Sequence, residues 1–245
     1  MDSGYYAAFS GLLARTEALD SAASNLSNAN TTGFRAEREF FRGAIMGPHA
    51  LESQLNETVN DFGVLGGNSL NLAQGPLTTT GNPMDVAIEG EGFFAIQTSN
   101  GVRYTRDGAF QRARNGTLTT AAGEPVLNGA GKPITVPGGA ATIGSDGAVS
   151  VAGALVGQIG VFTFPSTVPL LAEGVDRYIA PTAKATLSRN ASIHQGALEG
   201  SNQDVIQGSL QLILVQRQAE MMQKALTIFS NDFDKTASEE LPKIQ

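Results

Sequence analysis

The sequence predicts an α+β protein that is mainly β, with a long helix at each end of the chain and an antiparallel β-rich region between the helices. Apolar residues recur at alternating steps of three and four in both terminal segments, as on one face of a helix. Between these segments, short apolar runs alternate with turn dipeptides, which is typical of hairpins. We therefore predict a helical region at 1–35, a connector at 36–74, a β-rich domain at 75–190 and a C-terminal helix at 191–245.

The first helix is predicted to run from about Tyr5 to about Asn28. Its seam, interrupted at Thr16, contains Phe9, Leu12 and Leu19. The residues from Asn28 to Gly33 are types that favour turns and caps over the helix interior. We expect the helix to end there.

The C-terminal segment carries a clearer seam of apolar residues. The seam runs from Val205 through Gly208, Leu212, Val215, Ala219, Met222, Leu226 and Phe229 to Phe233, with Leu198 one heptad upstream. A second apolar set widens this face beyond the footprint of one partner helix: Ile206, Leu210, Ile213, Leu214, Met221 and Ile228. Because such a helix is a poor monomer by itself, we predict that the two terminal helices pair as a coiled coil. A helical hairpin in the core of a monomer is the alternative, and periodicity does not decide whether the pair also joins subunits.

The β-rich region is predicted from its apolar runs and from the glycines between them. The runs are 86–88, 93–96, 134–136, 149–151 and 158–164. Tight turns are predicted at Asp107-Gly108, Asn115-Gly116, Asn128-Gly129 and Asp146-Gly147, where glycine supplies a positive φ. The segment from Tyr104 to Phe110 is interpreted as one such hairpin, flanked by aromatic residues. The connector has weak periodicity, and we expect it to be irregular or extended.

Composition and charge exclude several classes of function. The chain of 245 residues has no cysteine, so disulfides, thiol nucleophiles and cysteine-bound metals are ruled out. From the net charge of −7, without a block of basic residues, we predict no nucleic-acid partner. The sequence contains no run of about 18 apolar residues, so we predict no insertion into a membrane. The residues from Met1 to Tyr6 lack a basic region, and no apolar stretch follows, so no cleaved signal peptide is expected.

The sequence gives little support for a catalytic or ligand-binding site. Gly90-Glu91-Gly92 matches part of a dinucleotide fingerprint, but that chemistry needs a helix next, and a strand-like run follows. His49 and His194 lie far apart without ligand-spaced carboxylates, and both are interpreted as surface residues.

Two carboxylates on one predicted strand, Asp85 and Glu89, would face the same side about 13 Å apart. With no aromatic platform for a sugar beside them, a solvated strand face is the preferred interpretation. We therefore predict no enzyme activity, no cofactor, no metal and no small-molecule substrate.

Three segments resemble the family of flagellar rod and hook proteins. Residues 18–35 are similar to its N-terminal signature, with Ser24 and Ser27 as departures; the matching positions include Asn25, Leu26, Asn28, Asn30, Thr31, Gly33 and Phe34. Residues 80–94 are similar to a central motif that includes Gly81, Asn82, Asp85, Gly90, Gly92 and Phe93, followed by a matching Tyr104-Thr105-Arg106. Near the C-terminus the resemblance covers Leu198-Glu199-Gly200-Ser201-Asn202 and, on the predicted helix, Gln216, Arg217 and Glu220.

This resemblance implies a structural subunit of the flagellar basal-body rod. Such a subunit would leave the cytoplasm through the flagellar type III export apparatus and assemble in the periplasm with itself and with other rod subunits through its terminal helices. The start of the chain and the stretch Arg38-Glu39-Phe40-Phe41 resemble proximal rod subunits more than distal ones. Outside the family, the alternatives are a secreted β-rich adhesin or binding module with a coiled-coil stalk and, after it, an enzyme.

Overall fold

The two terminal helices and a mainly β region between them form the described part of the chain. The computed structural model describes residues 2–42, 64–165, 168–181, 184–188 and 190–239. Helix α1 is Asp2–Ser27 and helix α2 is Val205–Glu239. The predicted α+β class, mainly β with a helix near each end, is confirmed.

The strands are short, as the dense spacing of glycine and turn residues requires. In chain order they are β1 (Glu37–Arg42), β2 (Val64–Leu70), β3 (Leu77–Thr79), β4 (Val86–Glu89), β5 (Phe93–Thr98), β6 (Gly101–Thr105), β7 (Gln111–Arg112), β8 (Leu118–Thr119), β9 (Ala141–Ile143), β10 (Ala148–Val151), β11 (Ala154–Gln158), β12 (Val161–Thr163), β13 (Leu171–Ala172), β14 (Arg177–Ile179), β15 (Thr186–Leu187), β16 (Ser192–Gln195) and β17 (Ala197–Glu199).

The largest sheet has six antiparallel strands in the order β13-β14-β6-β5-β12-β15. Smaller sheets pair β11-β10-β9, β16-β4, β17-β3, β7-β8 and β1-β2. Alternation along β5 places its side chains in two cores. Phe94 and Ile96 enter the main apolar cluster, whereas Phe93 packs with Leu170 and Tyr178 in a second cluster.

Two of the four predicted glycine turns are found where they were predicted. Gly116 between β7 and β8 and Gly147 between β9 and β10 have φ of 84° and 82°. In the turn that begins at Asn128, the glycine with positive φ is Gly131, not Gly129.

The prediction of a hairpin turn at Asp107-Gly108 is wrong. Gly108 is needed for another reason, because a Cβ there would lie 1.7 Å from the carbonyl oxygen of Val86. The amide of Val86 also donates a hydrogen bond to the carbonyl of Gly108.

The limits of the predicted segments also shift. Both ends of the predicted connector form strands, β1 and β2, which pair with each other, while residues 43–63 lie outside the described residues. The predicted C-terminal helical region from residue 191 begins instead with strands β16 and β17. Leu198, assigned to the helical seam, lies in β17. Leu198 and the residues on either side of it in the sequence therefore belong to the β-rich region.

The chain divides into two compact units. A helical unit contains α1 as far as Leu26, β1, β2 as far as Asn68, and α2. A β unit contains Ser27–Ala36 and Ser69–Asp204. Both ends of the β unit thus adjoin the terminal helices in sequence.

Candidate functional site: a buried junction of the signature segments

A buried carboxylate lies where the two ends of the β unit meet. Glu199, the last residue of β17, has a fully buried side chain. Its Oε1 lies 2.7 Å from Nη2 of Arg35 and accepts a 2.9 Å hydrogen bond from the amide of Gly75. Its Oε2 accepts a 2.8 Å bond from Nη1 of Arg106. One carboxylate therefore faces two guanidinium groups, and we call residues 33–36, Gly75, Arg106, Tyr178 and 199–202 the signature junction.

The two arginines are held by further acceptors. Arg35 donates from Nη1 to the carbonyl of Ala73 at 2.7 Å, and its backbone amide donates to the Tyr178 hydroxyl at 2.9 Å. Arg106 donates from Nη2 to the carbonyl of Gly90 at 2.6 Å. Burial lowers the pKa of Arg106, and the neighbouring Glu199 partly offsets that shift. The stability of both buried cations therefore depends on this glutamate.

Asn202 joins the same segments through their backbones. Its Oδ1 accepts a 2.8 Å bond from the amide of Ala36. Its Nδ2 donates to the carbonyls of Asn71 and Ala73 at 2.7 and 2.9 Å. One side-chain amide thus satisfies three backbone groups on two segments, so a residue without both a donor and an acceptor could not replace it.

Asn25 has a similar role inside the helical unit. Near the end of α1 it is buried and pairs with both backbone groups of Glu37. Its Nδ2 donates to that carbonyl at 2.8 Å, and its Oδ1 accepts from that amide at 2.9 Å. This reciprocal pairing imitates a strand partner and fixes the start of β1.

Two positions of the junction accept only glycine. Gly33 has a φ of +70°, and a Cβ there would lie 2.3 Å from the backbone nitrogen of Asp107. A Cβ on Gly75 would lie 2.2 Å from the carbonyl oxygen of Gly200. The amide of Gly33 also donates to the Glu199 carbonyl at 2.8 Å. Close approach of backbones, not only turn formation, explains these glycines.

The turn before Gly33 closes on itself. The amide of Thr31 donates to the carbonyl of Asn28 at 3.0 Å, and its hydroxyl donates to the Asn28 side-chain oxygen at 3.2 Å. Phe34 is buried, Leu26 is half-buried and Asn30 is exposed. The turn leads directly into Gly33 and Phe34, which lie in the junction.

The central motif forms a separate turn beside the junction. The buried Asp85 accepts hydrogen bonds from the Thr80 hydroxyl at 2.7 Å and from Nδ2 of Asn82 at 2.8 Å. Gly81 adopts a φ of +75°, and the amide of Gly196 donates to the Asp85 carbonyl at 2.7 Å. Asp85 therefore stabilises the entry to β4.

Gly90 and Gly92 form the turn between β4 and β5 with φ of 95° and 139°. A Cβ on Gly92 would lie 2.5 Å from a methyl carbon of Val161. Strand β5 follows, so the helix that a dinucleotide site requires is not there. Phe93 instead lies under the Arg106 guanidinium, 5.4 Å from ring centroid to Cζ.

His194 and Glu89 form a pair on the surface. His194 is exposed on β16, with Nε2 2.5 Å from Oε2 of the exposed Glu89, while His49 lies outside the described residues. Across the described ranges no group of three or more His, Asp or Glu residues could hold a metal ion. In the same ranges no helix is both long and apolar enough to span a bilayer.

The two helices bury different kinds of residue. On α2 the buried side chains include Val215 and Ala219, both members of the predicted seam, and Leu212, Met222 and Leu226 are half-buried. Nothing is described for the side chain of Phe229. On α1, Ala14, Ala18 and Ala22 are buried, Leu12 and Leu19 are half-buried, and Phe9 is 45% exposed. The face of α1 buried within the chain is therefore a stripe of small residues, not the predicted seam.

Beyond the buried face, α2 exposes the second apolar set. Ile206, Leu210, Ile213, Leu214, Met221 and Ile228 are all exposed, Leu210 by 58%. The predicted signature residues on this helix, Gln216, Arg217 and Glu220, are also exposed, and the first bonds the third at 3.2 Å. They are not part of the junction.

Of the predicted site residues, the junction brings together Gly33, Phe34 and Asn202, with Phe93 beneath Arg106. It also contains charged residues that were not predicted as site residues, Arg35, Arg106 and Glu199. All three occur as letters of the signature motifs, which was the available signal. Their burial could not be inferred, because arginine and glutamate are almost always exposed unless they are paired.

Comparison with known proteins finds similar chains in one family. A family model described as the D1 domain of flagellar hook protein FlgE/F/G matches residues 87–151, and one described as flagella basal body rod protein matches residues 6–35. Flagellar basal-body rod protein FlgF of Caulobacter vibrioides is 37% identical, with 100% of both chains covered. FlgF of Mesorhizobium japonicum is 35% identical over 90% of each chain, and FlgG of Bacillus subtilis is 32% identical over 91% of this chain and 93% of its own.

The signature motifs close turns and join backbone segments, which is a structural role. The comparisons give the particular family: the chain belongs to the flagellar basal-body rod proteins. As a member of this family the chain is a structural protein and not an enzyme.

Proposed function

We propose that this chain is a subunit of the proximal part of the flagellar rod, which assembles with copies of itself and with other rod subunits through its terminal helices. Supporting the proximal assignment, relatives named FlgF are 32–37% identical, whereas relatives named FlgG are 30–32% identical. The alternative within the family is a distal rod subunit.

The exposed apolar set on α2 carries the proposal. Six large apolar side chains are exposed on a helix that already buries another face, so a partner surface would remove them from water. Burying one such side chain contributes about 1.5–3 kcal/mol. The assignment of both helices to one compact unit supports their pairing as a coiled coil, which would present this set to neighbouring subunits.

Location and export follow from the family resemblance. We propose that the chain reaches the periplasmic part of the basal body through the flagellar type III export apparatus. The signature turn and junction would then keep the β-rich domain folded while the helices form the polymer.

An in-frame deletion of the gene tests this function. We expect non-motile cells whose isolated basal bodies, seen by electron microscopy, carry no rod beyond the inner-membrane ring, and restoration of both by the intact gene. A truncated rod that already extends from the ring would instead assign the chain to the distal part. Normal rods and normal swimming would reject the proposal and favour a secreted binding module.

A further inference from the structure

We infer that residues 33–36, 71–75 and 196–202, which we call the latch, open and close as one cooperative unit below the global unfolding of the β unit. The latch would therefore hold or release both sequence ends of the β unit together. This goes beyond a static junction, because it assigns three distant segments a shared opening equilibrium.

Reciprocal hydrogen bonds cross-link the three segments. Segment 196–202 bonds to segment 33–36 through the amide of Gly33, and through the Asn202 amide, which donates to the Phe34 carbonyl at 3.3 Å. Segment 71–75 bonds to segment 33–36 through the amide of Asn71, which donates to the Ala36 carbonyl at 2.8 Å. Asn202 bonds to both other segments. Loss of any one segment therefore leaves donors and acceptors of the other two unpaired.

Buried charges couple the opening of the three segments more strongly than the hydrogen bonds alone would. Arg35 lies on one segment, Glu199 on another, and Arg106 belongs to the framework after β6. If segment 196–202 left alone, Arg35 and Arg106 would stay buried beside each other without their carboxylate. Partial opening is thus disfavoured relative to joint opening.

The framework beneath the latch has its own support. Strands β5 and β6 pair over five registered residues, and Phe94 and Ile96 belong to the main apolar cluster. The amide of Gln97 donates to the Pro125 carbonyl and that of Leu127 to the Ala95 carbonyl. None of these groups depends on Glu199, so this sheet is expected to persist when the latch opens.

In a rod subunit the latch would affect assembly, and this part of the inference rests on the proposed function. The latch segments adjoin in sequence the segments that lead to α1 and α2. A joint equilibrium would make the two ends of the β unit competent for assembly together and not one at a time.

Native-state hydrogen exchange of the full-length monomer, followed by NMR, tests the latch. The variant is Glu199→Gln, which keeps the shape but removes the charge. The matched control is Glu173→Gln, which removes a carboxylate from the partly exposed pair with Arg103. We expect the amides of Asn71, Ala36 and Gly200 to exchange together and about 100-fold faster in Glu199→Gln. The amides of Gln97 and Leu127 should keep their rates, and the control should change neither group.

Two results would overturn the inference. Faster exchange confined to 196–202, with Asn71 and Ala36 unchanged, would show a local effect. Equal acceleration of latch and framework amides would show that the β unit opens only as a whole. If Glu199→Gln does not fold, the unmodified chain decides in low denaturant: one shared rate for the latch, faster than the framework, supports the inference, and separate or framework-like rates reject it. Because no assembly is involved, failure here leaves the rod assignment intact.

Discussion

The outer face of α2 and the signature junction use opposite chemistry. On α2, large apolar side chains such as Leu210 and Ile206 remain in contact with water. In the junction, charged and polar side chains such as Glu199 and Arg35 are fully buried. Each region reverses the usual distribution of residue types between surface and interior.

The difference separates two tasks. The junction pairs its buried charges with one another, because each carboxylate oxygen of Glu199 contacts a guanidinium group. The apolar face of α2 has no comparable cover among the described residues, because all six members of the second set are exposed. Changes in the junction should therefore act on stability, and changes on the α2 face should act on assembly.

The largest effect on stability is expected at Gly33. Gly33→Val places a β-branched residue at positive φ against the Asp107 backbone and should cost about 3 kcal/mol or more, or prevent folding. Urea unfolding followed by circular dichroism measures it. Gly81→Val is the control, since that glycine has nearly the same φ but open space around its Cβ position, and it should cost about 2 kcal/mol. Equal costs would mean that close approach at Gly33 does not matter.

Tyr178→Phe is expected to have the next largest effect. Removing the hydroxyl leaves the buried amide of Arg35 without its acceptor, which should cost about 1–3 kcal/mol. Tyr104→Phe, at a half-buried tyrosine of the neighbouring aromatic cluster, should stay within about 0.5 kcal/mol. The same unfolding experiment compares them. A silent Tyr178→Phe would show that the junction does not depend on this bond.

A site remote from the junction should respond in the opposite direction. Ala152, in the turn between β10 and β11, has a φ of 51°, which costs a non-glycine residue energy. Ala152→Gly should therefore raise the free energy of unfolding by about 0.5–1 kcal/mol, after the larger chain entropy of glycine is subtracted. Destabilisation would mean that alanine is favoured there by packing.

The smallest effect is expected from Asp107, and it should depend on pH. Burial raises the pKa of this carboxyl above its ordinary value of 3.8, so the folded protein holds the proton more tightly than the unfolded chain. Its contribution to stability is then complete at low pH and is lost as pH rises through the folded pKa. Asp107→Asn keeps an acceptor for the Ala109 amide and removes the charge.

The stability of Asp107→Asn relative to the unmodified chain should therefore rise from pH 3 to a plateau near neutrality. Unfolding curves at several pH values give this difference directly. A difference that falls with increasing pH would contradict the assigned burial effect.

Local patterns predicted the local structure. The apolar run 93–96 predicted strand β5, and the dipeptides Asn115-Gly116 and Asp146-Gly147 predicted the glycine turns. The heptad pattern of α1 was less informative, because it weights large residues such as Phe9, whereas close helix packing buries small ones such as Ala18.

The junction could not be derived from periodicity. Arg35 and Glu199 are separated by most of the chain, and no local pattern relates a charge on one segment to a charge on another. Gly75 also shows this limit, since only the approach of the Gly200 carbonyl explains it. Motif resemblance marked several of these positions without stating what each one contacts.

The most direct test of the account is assembly after a change on the α2 face. A deletion strain is complemented with Leu210→Asp or with the control Gln211→Asp, at the neighbouring exposed polar position. Swimming and rods in isolated basal bodies are scored, and the free energy of unfolding of each purified variant is measured. The account predicts that Leu210→Asp folds normally but fails to build a rod, whereas Gln211→Asp restores swimming. Normal rods with Leu210→Asp would contradict the claim that this apolar face joins subunits.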